Sequence, residues 1–305
     1  MGRYGADIVR LWVASQDFRN DIVVSEERIK KVAESYRLLR NALRFQLSNL
    51  YDYDPQEHAV DHASLTPMDR WMLDAWSKLE SDVCQAYDRH EFHLVYQKLT
   101  QFTAVELSSI YHDLVKDRLY SDRHDSSQRR STQTVLHFIV GRYCQLLSPI
   151  LVFTADEAWE CVPGTSQGMS VHESEWVPFS FAMHPEEGER WQEFMELRQE
   201  VLSALEEARR EKVIGKSLEA EVNIVEQAEK LSRFQEATAV LRELFNVSHI
   251  RWEAGASRGV HVRKAEGDKC KRCWHWRTDV GVQKAHGDIC GRCADAVTAH
   301  LAASS

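Results

Sequence analysis

The chain has 305 residues, of which 43% are hydrophobic, and a formal net charge of −9. This length predicts two or three domains of about 100–200 residues each, and the apolar content is sufficient for sizeable cores. No apolar run reaches the roughly 18 residues that would span a bilayer, no secretory signal opens the chain, and the acidic balance taken alone argues against nucleic-acid binding.

The first half of the chain predicts helices. Ser25 is expected to cap the second of them, because its hydroxyl can accept from the free N–H groups of the first turn. Pro67 suits the first position of the third, where its missing N–H costs nothing. The other helices are predicted at about residues 3–15, 92–120, 128–147 and 154–161, and the second at 25–50. The sequence up to Pro163 therefore predicts an all-helical bundle with short connections.

One stripe of the second helix is strongly polar. It consists of Arg37, Arg40, Asn41 and Arg44, which repeat at intervals of three, four and seven residues. Three guanidinium groups on one face can form a contact line for phosphates or bases. An ordinary solvated helix face has the same pattern, so periodicity alone leaves both interpretations open.

The second half predicts a small mixed α/β unit. Residues 164–184 have little periodicity and are expected to form a connector. A long helix should then end before Gly215, which is the expected stop signal. Alternating apolar residues predict three short strands separated by a helix. The helices are expected at about 186–212 and 227–245, and the strands at about 219–225, 250–252 and 260–262.

Two C-x2-C pairs near the end of the chain predict a metal site. They are Cys270 with Cys273 and Cys290 with Cys293, separated by a sixteen-residue loop. Each pair can form a knuckle, and two knuckles complete the tetrahedron of a structural zinc site with no open position for a water. Gly291 is expected to make the tight turn of the second knuckle.

Two alternatives to this zinc site remain open. The four cysteines can form two disulfides or stay free thiols, although paired C-x2-C motifs in a reducing compartment more often bind metal. His275 and His286 lie inside the loop and can each replace a cysteine as a ligand. The other three cysteines stand singly in apolar or helical contexts, which predicts a reducing compartment, most simply the cytoplasm.

Charge is unevenly distributed along the chain. Lys and Arg outnumber Asp and Glu by 9 to 6 in residues 1–50 and by 9 to 5 in residues 255–305. The acidic residues prevail by 11 to 4 in residues 51–110 and by 11 to 2 in residues 151–200. The uneven distribution therefore removes the argument against nucleic-acid binding. Four thiolates and one Zn²⁺ would add −2 to the last segment, which leaves its positive charge weaker.

Several runs together resemble the C-terminal part of bacterial isoleucyl-tRNA synthetase, a class I aminoacyl-tRNA synthetase. The resemblance extends from Arg3 to about Val297, and the last two runs are its most specific ones. The runs are YGADIVRLWVAS, SYRLLRNALRFQLSNLYDYDP, VKDRLYSD, LSPILVFTADEAWE, IGKSLEA and CKRCWH with GDICGRC.

The resemblance implies a mainly α fold, in which a helical-bundle anticodon-binding domain precedes a small α/β junction domain and a zinc-knuckle module. Enzymes of this family join isoleucine to ATP, transfer it to tRNA, and hydrolyse mischarged valine in an editing domain. Their HIGH and KMSKS signatures do not occur here, so the chain is expected to begin downstream of the ATP-binding catalytic domain and to be inactive alone. The implied segments are a linking helix (1–24), the anticodon-binding domain (25–163), the connector (164–184), the junction domain (185–255) and the zinc module (256–305).

The resemblance also implies a role in gripping the anticodon stem and loop of tRNA(Ile), by a monomer that works with the catalytic and editing domains of its own chain. Cations would hold the backbone, and flat side chains would stack on unpaired bases. Packing against the zinc core is the alternative for each tryptophan. The candidate RNA contacts are Arg37, Arg40, Asn41, Arg44, Lys212, Lys216, Lys271, Arg272, Trp274, Trp276, Arg277 and Arg292.

Two other classes of function fit the same sequence. One is a free-standing RNA-binding relative without catalysis, and the other is a protein-interaction module with a structural zinc. The acidic segments 51–110 and 151–200 would suit a protein partner. An upstream reading frame with the two catalytic signatures would distinguish the enzyme from both.

Overall fold

A computed structural model describes residues 4–165 and 168–303. The chain forms two compact units. The first, called the bundle unit, consists of residues up to 115 and residues 127–183; the second, called the zinc unit, consists of residues 116–126 and those from 184 onwards. The predicted mainly α fold is confirmed. In the described part of the chain, no helix is both long and apolar enough to cross a membrane.

The bundle unit is built from helices close to the predicted ones. The predicted N-cap forms, because Ser25 Oγ accepts from the Arg28 N–H at 3.3 Å. Thr66 caps the third helix in the same way, since its Oγ1 accepts from the Asp69 N–H at 3.3 Å and Pro67 follows at the first position as predicted. A π-helical segment, Thr103–His112, joins two of the helices without a break. The helices are α1 (Ala6–Ala14), α2 (Glu26–Ser48), α3 (Pro67–Asp88), α4 (Phe92–Phe102), α5 (Asp113–Ser121), α6 (Ser127–Leu147) and α7 (Val152–Trp159).

A buried polar cluster holds α3 against the π-helical segment and α6. The Asp69 carboxylate, which is fully buried, accepts hydrogen bonds from Tyr111 at 2.6 Å, Ser131 at 2.6 Å and Thr132 at 3.2 Å. A buried carboxylate is costly unless its oxygens are satisfied. Because the three hydroxyls come from two other elements, they define one packing arrangement of the helices.

The segment predicted as a connector lies along α3 in the bundle unit. Alternate N–H groups of this extended chain donate to polar side chains on α3: Phe179 to Glu80 Oε1 at 3.1 Å, Phe181 to Ser77 Oγ at 3.0 Å and Met183 to Asp74 Oδ1 at 3.2 Å. Alternate residues of an extended segment face the same way, so these three N–H groups reach three side chains on one face of the helix. Low sequence periodicity in this stretch therefore reflects a segment that pairs through its backbone.

The zinc unit contains a three-stranded sheet with the order β2-β1-β3. The central strand, β1, pairs in parallel with β2 and antiparallel with β3. Its residues Ala220, Val222 and Ile224 are fully buried. The predicted helix after β1 is two helices. The elements are α8 (Pro185–Arg210), β1 (Ala220–Glu226), α9 (Ala228–Glu236), α10 (Thr238–Phe245), β2 (His249–Ala254), β3 (Gly259–Lys264), β4 (Asp268–Lys269), β5 (Trp276–Arg277) and α11 (Gly291–Ala303).

The predicted stop signal of α8 was wrong. The helix ends at Arg210, and Lys212 takes the left-handed conformation, with φ 61°, that a glycine usually takes after a helix. Its N–H donates to Arg209 O at 3.1 Å, which satisfies a carbonyl of the last turn. Gly215 lies further on, where its N–H donates to Glu219 Oε2 at 2.9 Å.

His112, at the end of the π-helical segment, makes the stability of the bundle unit depend on pH. Its ring stacks on Phe45 with a centroid distance of 4.2 Å, and burial lowers its pKa to about 3. The unfolded chain therefore binds a proton below pH 6.5 that the folded chain does not. The contribution of His112 to the free energy of unfolding is fully present above that pH. It is lost as the pH drops, by about 2 kcal/mol between pH 7 and pH 5.

We expect His112→Phe, which keeps the ring stack, to remove this part of the pH dependence. Urea unfolding followed by circular dichroism from pH 7 to pH 5 measures it. His62→Phe is the control, because His62 is exposed. Equal pH slopes for the wild type and His112→Phe would contradict the assignment.

Candidate metal centre and nucleic-acid interface

The four predicted cysteine ligands converge on one buried point. Their sulfur atoms all lie within 4.8 Å of one another, and Cys273 Sγ is 3.8 Å from Cys290 Sγ. A tetrahedron with Zn–S bonds of about 2.3 Å has edges of about 3.8 Å. All seven cysteines are free, so the disulfide alternative is not realised. The four residues, Cys270, Cys273, Cys290 and Cys293, fit a structural zinc ion.

Backbone hydrogen bonds shape both knuckles. Trp274 N–H donates to Cys270 O at 2.9 Å and closes the first, and Ala294 N–H donates to Cys290 O at 2.9 Å in the first turn of α11. The two knuckles are joined where Cys290 N–H donates to Cys270 Sγ at 3.3 Å. A donor aimed at sulfur favours the thiolate that a metal needs.

Gly291 does not make the tight turn that was predicted for it. It begins α11 and does not have positive φ, so the turn itself would accept another residue. A Cβ at this position would lie 2.9 Å from Asp279 Oδ2, and the same carboxylate oxygen accepts from the Gly291 N–H at 3.1 Å. The glycine therefore admits a carboxylate that caps the start of α11.

The two histidines of the loop are not in the ligand cluster. Within the described residues, the only group of three or more possible ligands is the set of four cysteines. His275 Nε2 instead lies 3.6 Å from Asp117 Oδ2.

Electrostatics explain why these sulfurs need a cation. The neighbouring Cys293 and burial raise the pKa of the Cys273 thiol, and burial raises the pKa of Cys290. Without a positive charge these two sulfurs would remain protonated. A bound Zn²⁺ supplies that charge and makes the thiolates the favoured form.

Trp274 forms an exposed aromatic surface between two lysines. Its ring is 57% exposed, and the ring centroid lies 5.9 Å from Lys216 Nζ and 5.8 Å from Lys269 Nζ. The residue has φ 66°, a left-handed conformation that costs about 1–3 kcal/mol for a side chain of this kind. An exposed indole with adjacent cations can stack on a base and hold its phosphate. Lys269, which precedes the first ligand in β4, was missed by the sequence analysis.

Trp276 is half-buried and is covered by Lys264, whose Nζ lies 4.6 Å from the ring centroid. Its backbone N–H donates to Ser248 Oγ at 2.8 Å. Val280 and Ile289 are the partly buried apolar residues that pack against the four cysteines. Packing against the zinc core was the alternative for both tryptophans, and neither is among the residues that pack there.

The remaining candidates of the zinc unit differ in how far they are engaged. Lys212 and Lys216 are exposed, Lys271 lies 3.1 Å from Asp288, and Arg277 lies 3.5 Å from Asp279. Arg272 and Arg292 are directed at the end of α5. Their contacts with the protein make them less available to RNA than Trp274.

The polar stripe of α2 is exposed along its whole length. Arg37 pairs with Glu34 on the same face. The side chains of Arg40, Asn41 and Arg44 have no hydrogen bond or ion pair with any residue in 4–165 or 168–303. These side chains are free to meet a phosphate, and a solvated face would look the same.

Two models of known protein families match parts of this chain. Residues 69–224 match the anticodon-binding domain of tRNA ligase, and residues 267–296 match the zinc finger found in FPG and IleRS. The chain is 40% identical over 293 residues to an isoleucine–tRNA ligase of Desulfitobacterium hafniense, covering 91% of this chain and 32% of that protein.

Two more relatives have the same name. The Geobacillus kaustophilus protein is 40% identical over 99% of this chain and 34% of its own length, and the Legionella pneumophila protein is 38% identical over 92% and 31%. The chain thus spans about a third of the length of these relatives.

Removing zinc should unfold the module and spare the bundle, because the bundle unit has its own core. We expect elemental analysis to find one zinc ion per chain, and a chelator to abolish amide protection in residues 270–293 while α3 and α6 stay protected. Cys293→Ser should have the effect of the chelator.

Acid should also release the metal, because protons compete for thiolate ligands.

Cys161→Ser is the matched control for Cys293→Ser, since Cys161 is an exposed thiol outside the cluster. Freshly reduced protein without metal, or protection of residues 270–293 that survives chelation, would contradict the zinc assignment.

Proposed function

We propose, since the chain belongs to the family of the anticodon-binding domain of tRNA ligase, that it holds the anticodon stem and loop of a tRNA. The observation that carries the proposal is the family match over residues 69–224 together with the zinc-finger match that follows it. Relatives named isoleucine–tRNA ligase at 38–40% identity support tRNA(Ile) as the RNA.

The whole protein, on this proposal, is an isoleucine–tRNA ligase that attaches isoleucine to tRNA(Ile) with ATP. The ATP site and the editing site would lie in other domains of the same chain, because neither HIGH nor KMSKS occurs in these residues. These residues would supply binding and no catalysis, in a monomeric protein. Free cysteines outside the metal site suit the cytoplasm.

Anticodon recognition has two physical requirements that the described surfaces can meet. The phosphates need cations, and unpaired loop bases need flat groups to stack on. The exposed stripe of α2 offers Arg40 and Arg44 in the bundle unit, and Trp274 with Lys216 and Lys269 offers both elements in the zinc unit. The acidic segments elsewhere in the chain would repel RNA that is wrongly placed.

Equilibrium binding of tRNA transcripts tests this function. We expect tRNA(Ile) to bind more tightly than the same transcript with an altered anticodon, at physiological salt, and raised salt to weaken both. Equal affinity for unrelated tRNAs would contradict the proposal.

Trp274→Ala should weaken binding of tRNA(Ile) by about 1–3 kcal/mol, the contribution of one stacked base. Trp274→Phe should retain most of the affinity, because the flat surface remains. Phe153→Ala is the control, because Phe153 is also an exposed aromatic residue, at 65%, and lies in the bundle unit. Wild-type affinity of Trp274→Ala would remove this residue from the interface.

Replacing Arg37, Arg40 and Arg44 together by Ala should flatten the salt dependence of binding. Each phosphate contact contributes about 0.7–0.9 to the slope of log K against log salt, so the slope should fall by about 2–3. Loss of the same charge at Lys78, Arg89 and Lys98 of the bundle unit is the control. An unchanged slope would leave the stripe as a solvated face.

A further inference from the structure

The two zinc knuckles share one feature that zinc binding does not require. Both have the pattern C-x-R-C, so that Arg272 and Arg292 occupy equivalent positions, each immediately before the second cysteine of its pair. Both guanidinium groups contact the same short stretch, residues 117–122, at the end of α5. These residues belong to the zinc unit although they precede the rest of it by more than sixty residues.

Arg272 binds the backbone of this stretch. Its Nη2 donates to Tyr120 O at 2.9 Å, and its Nη1 donates to Ser121 O. These are carbonyls of the last turn of α5, which have no partner within the helix. A cation at a helix C-terminus also complements the helix dipole. Arg272 therefore caps α5 from outside.

Arg292 binds the side chains of the same stretch. Its two terminal nitrogens donate to the two carboxylate oxygens of Asp117 at 2.7 and 2.8 Å, and Nη1 also donates to Asp122 at 3.3 Å. His275 lies 3.6 Å from the same Asp117 carboxylate. Burial would raise the pKa of Asp117, but the hydrogen bonds from Arg292 and the nearby His275 ring outweigh it and hold that pKa below its ordinary value.

The stretch so held presents one aromatic side chain. Leu119 and Ser121 are buried, whereas Tyr120 between them is 58% exposed. Arg118 is also buried and pairs with Glu243, so the backbone is fixed from several directions. An exposed ring on an immobilised backbone can stack on an unpaired base with little loss of entropy.

We propose that residues 117–122 are a zinc-dependent part of the RNA-binding surface, in which Arg272 and Arg292 are positioning residues and Tyr120 stacks on an unpaired base. This rests on the proposed function for the identity of the RNA. Each arginine adjoins a zinc ligand, so a formed knuckle sets where its guanidinium lies. Loss of the metal opens the knuckles and frees the end of α5.

Hydrogen exchange tests the positioning without RNA. In the zinc-loaded full chain, Arg272→Ala and Arg292→Ala should each speed exchange of the Ser121 and Asp122 amides at least several-fold, while elemental analysis still finds one zinc ion. Chelation of the wild type should have at least the same effect. Arg277→Ala is the control, because Arg277 lies in the loop between the two cysteine pairs and its side chain contacts Asp279. Unchanged exchange in both variants and after chelation would overturn the positioning role.

Binding of a fluorescently labelled stem–loop RNA with the anticodon-arm sequence of tRNA(Ile) tests Tyr120. Tyr120→Ala should weaken binding about 5- to 100-fold, the range for one stacked base, and Tyr120→Phe should bind nearly as the wild type does. If the wild type binds and Tyr120→Ala binds equally well, this inference fails and the proposed function stands. If the wild type binds neither tRNA(Ile) nor the stem–loop, the proposed function fails, and the proposed stacking of Tyr120 on a base fails with it.

Discussion

The structure of the zinc module, residues 256–305, depends on bringing four sulfur atoms to one buried point. The cysteines come from two segments about twenty residues apart, and little apolar surface packs around them beyond Val280 and Ile289. So small an apolar contact cannot offset the entropy of ordering the intervening loop. A divalent cation can, because its binding energy is realised only when the four ligands are together. The metal thus replaces a hydrophobic core in this part of the chain.

The bundle unit is organised by the opposite means. Its core contains fully buried residues such as Trp76, Met68 and Met72, and one buried polar network is satisfied within it. Trp76 Nε1 donates to Glu80 at 3.0 Å, and Arg142 Nε donates to the same carboxylate at 2.6 Å. Such networks rigidify a core because each member would be costly if it lost its partners. The network holds α3 and α6 together, and the charged residues on the outer face of α2 are exposed and take no part in core packing.

The sequence was sufficient wherever one local rule determined the outcome. The cap at Ser25, the place of Pro67 at the start of α3 and the spacing within each C-x2-C pair each depend on atoms a few residues apart. Prediction failed where distant contacts decided the result. The Asp279 carboxylate reaches the N–H of Gly291 from twelve residues away, and segment 116–126 packs with a module that begins more than a hundred residues later. Lys269 was missed because its relation to Trp274 arises only when a left-handed residue turns the indole back toward β4.

The negative net charge is compatible with RNA binding because affinity depends on local potential. Exposed charges further apart than about 8–10 Å are largely screened at physiological salt. In the zinc module, two arginines are neutralised by protein partners: Arg292 by Asp117 and Arg277 by Asp279. Lys216 and Lys269 instead flank an exposed ring, where a base and its phosphate can both be bound. The charges that matter for recognition are therefore those that the fold leaves beside an aromatic surface, and a count over the whole chain does not report them.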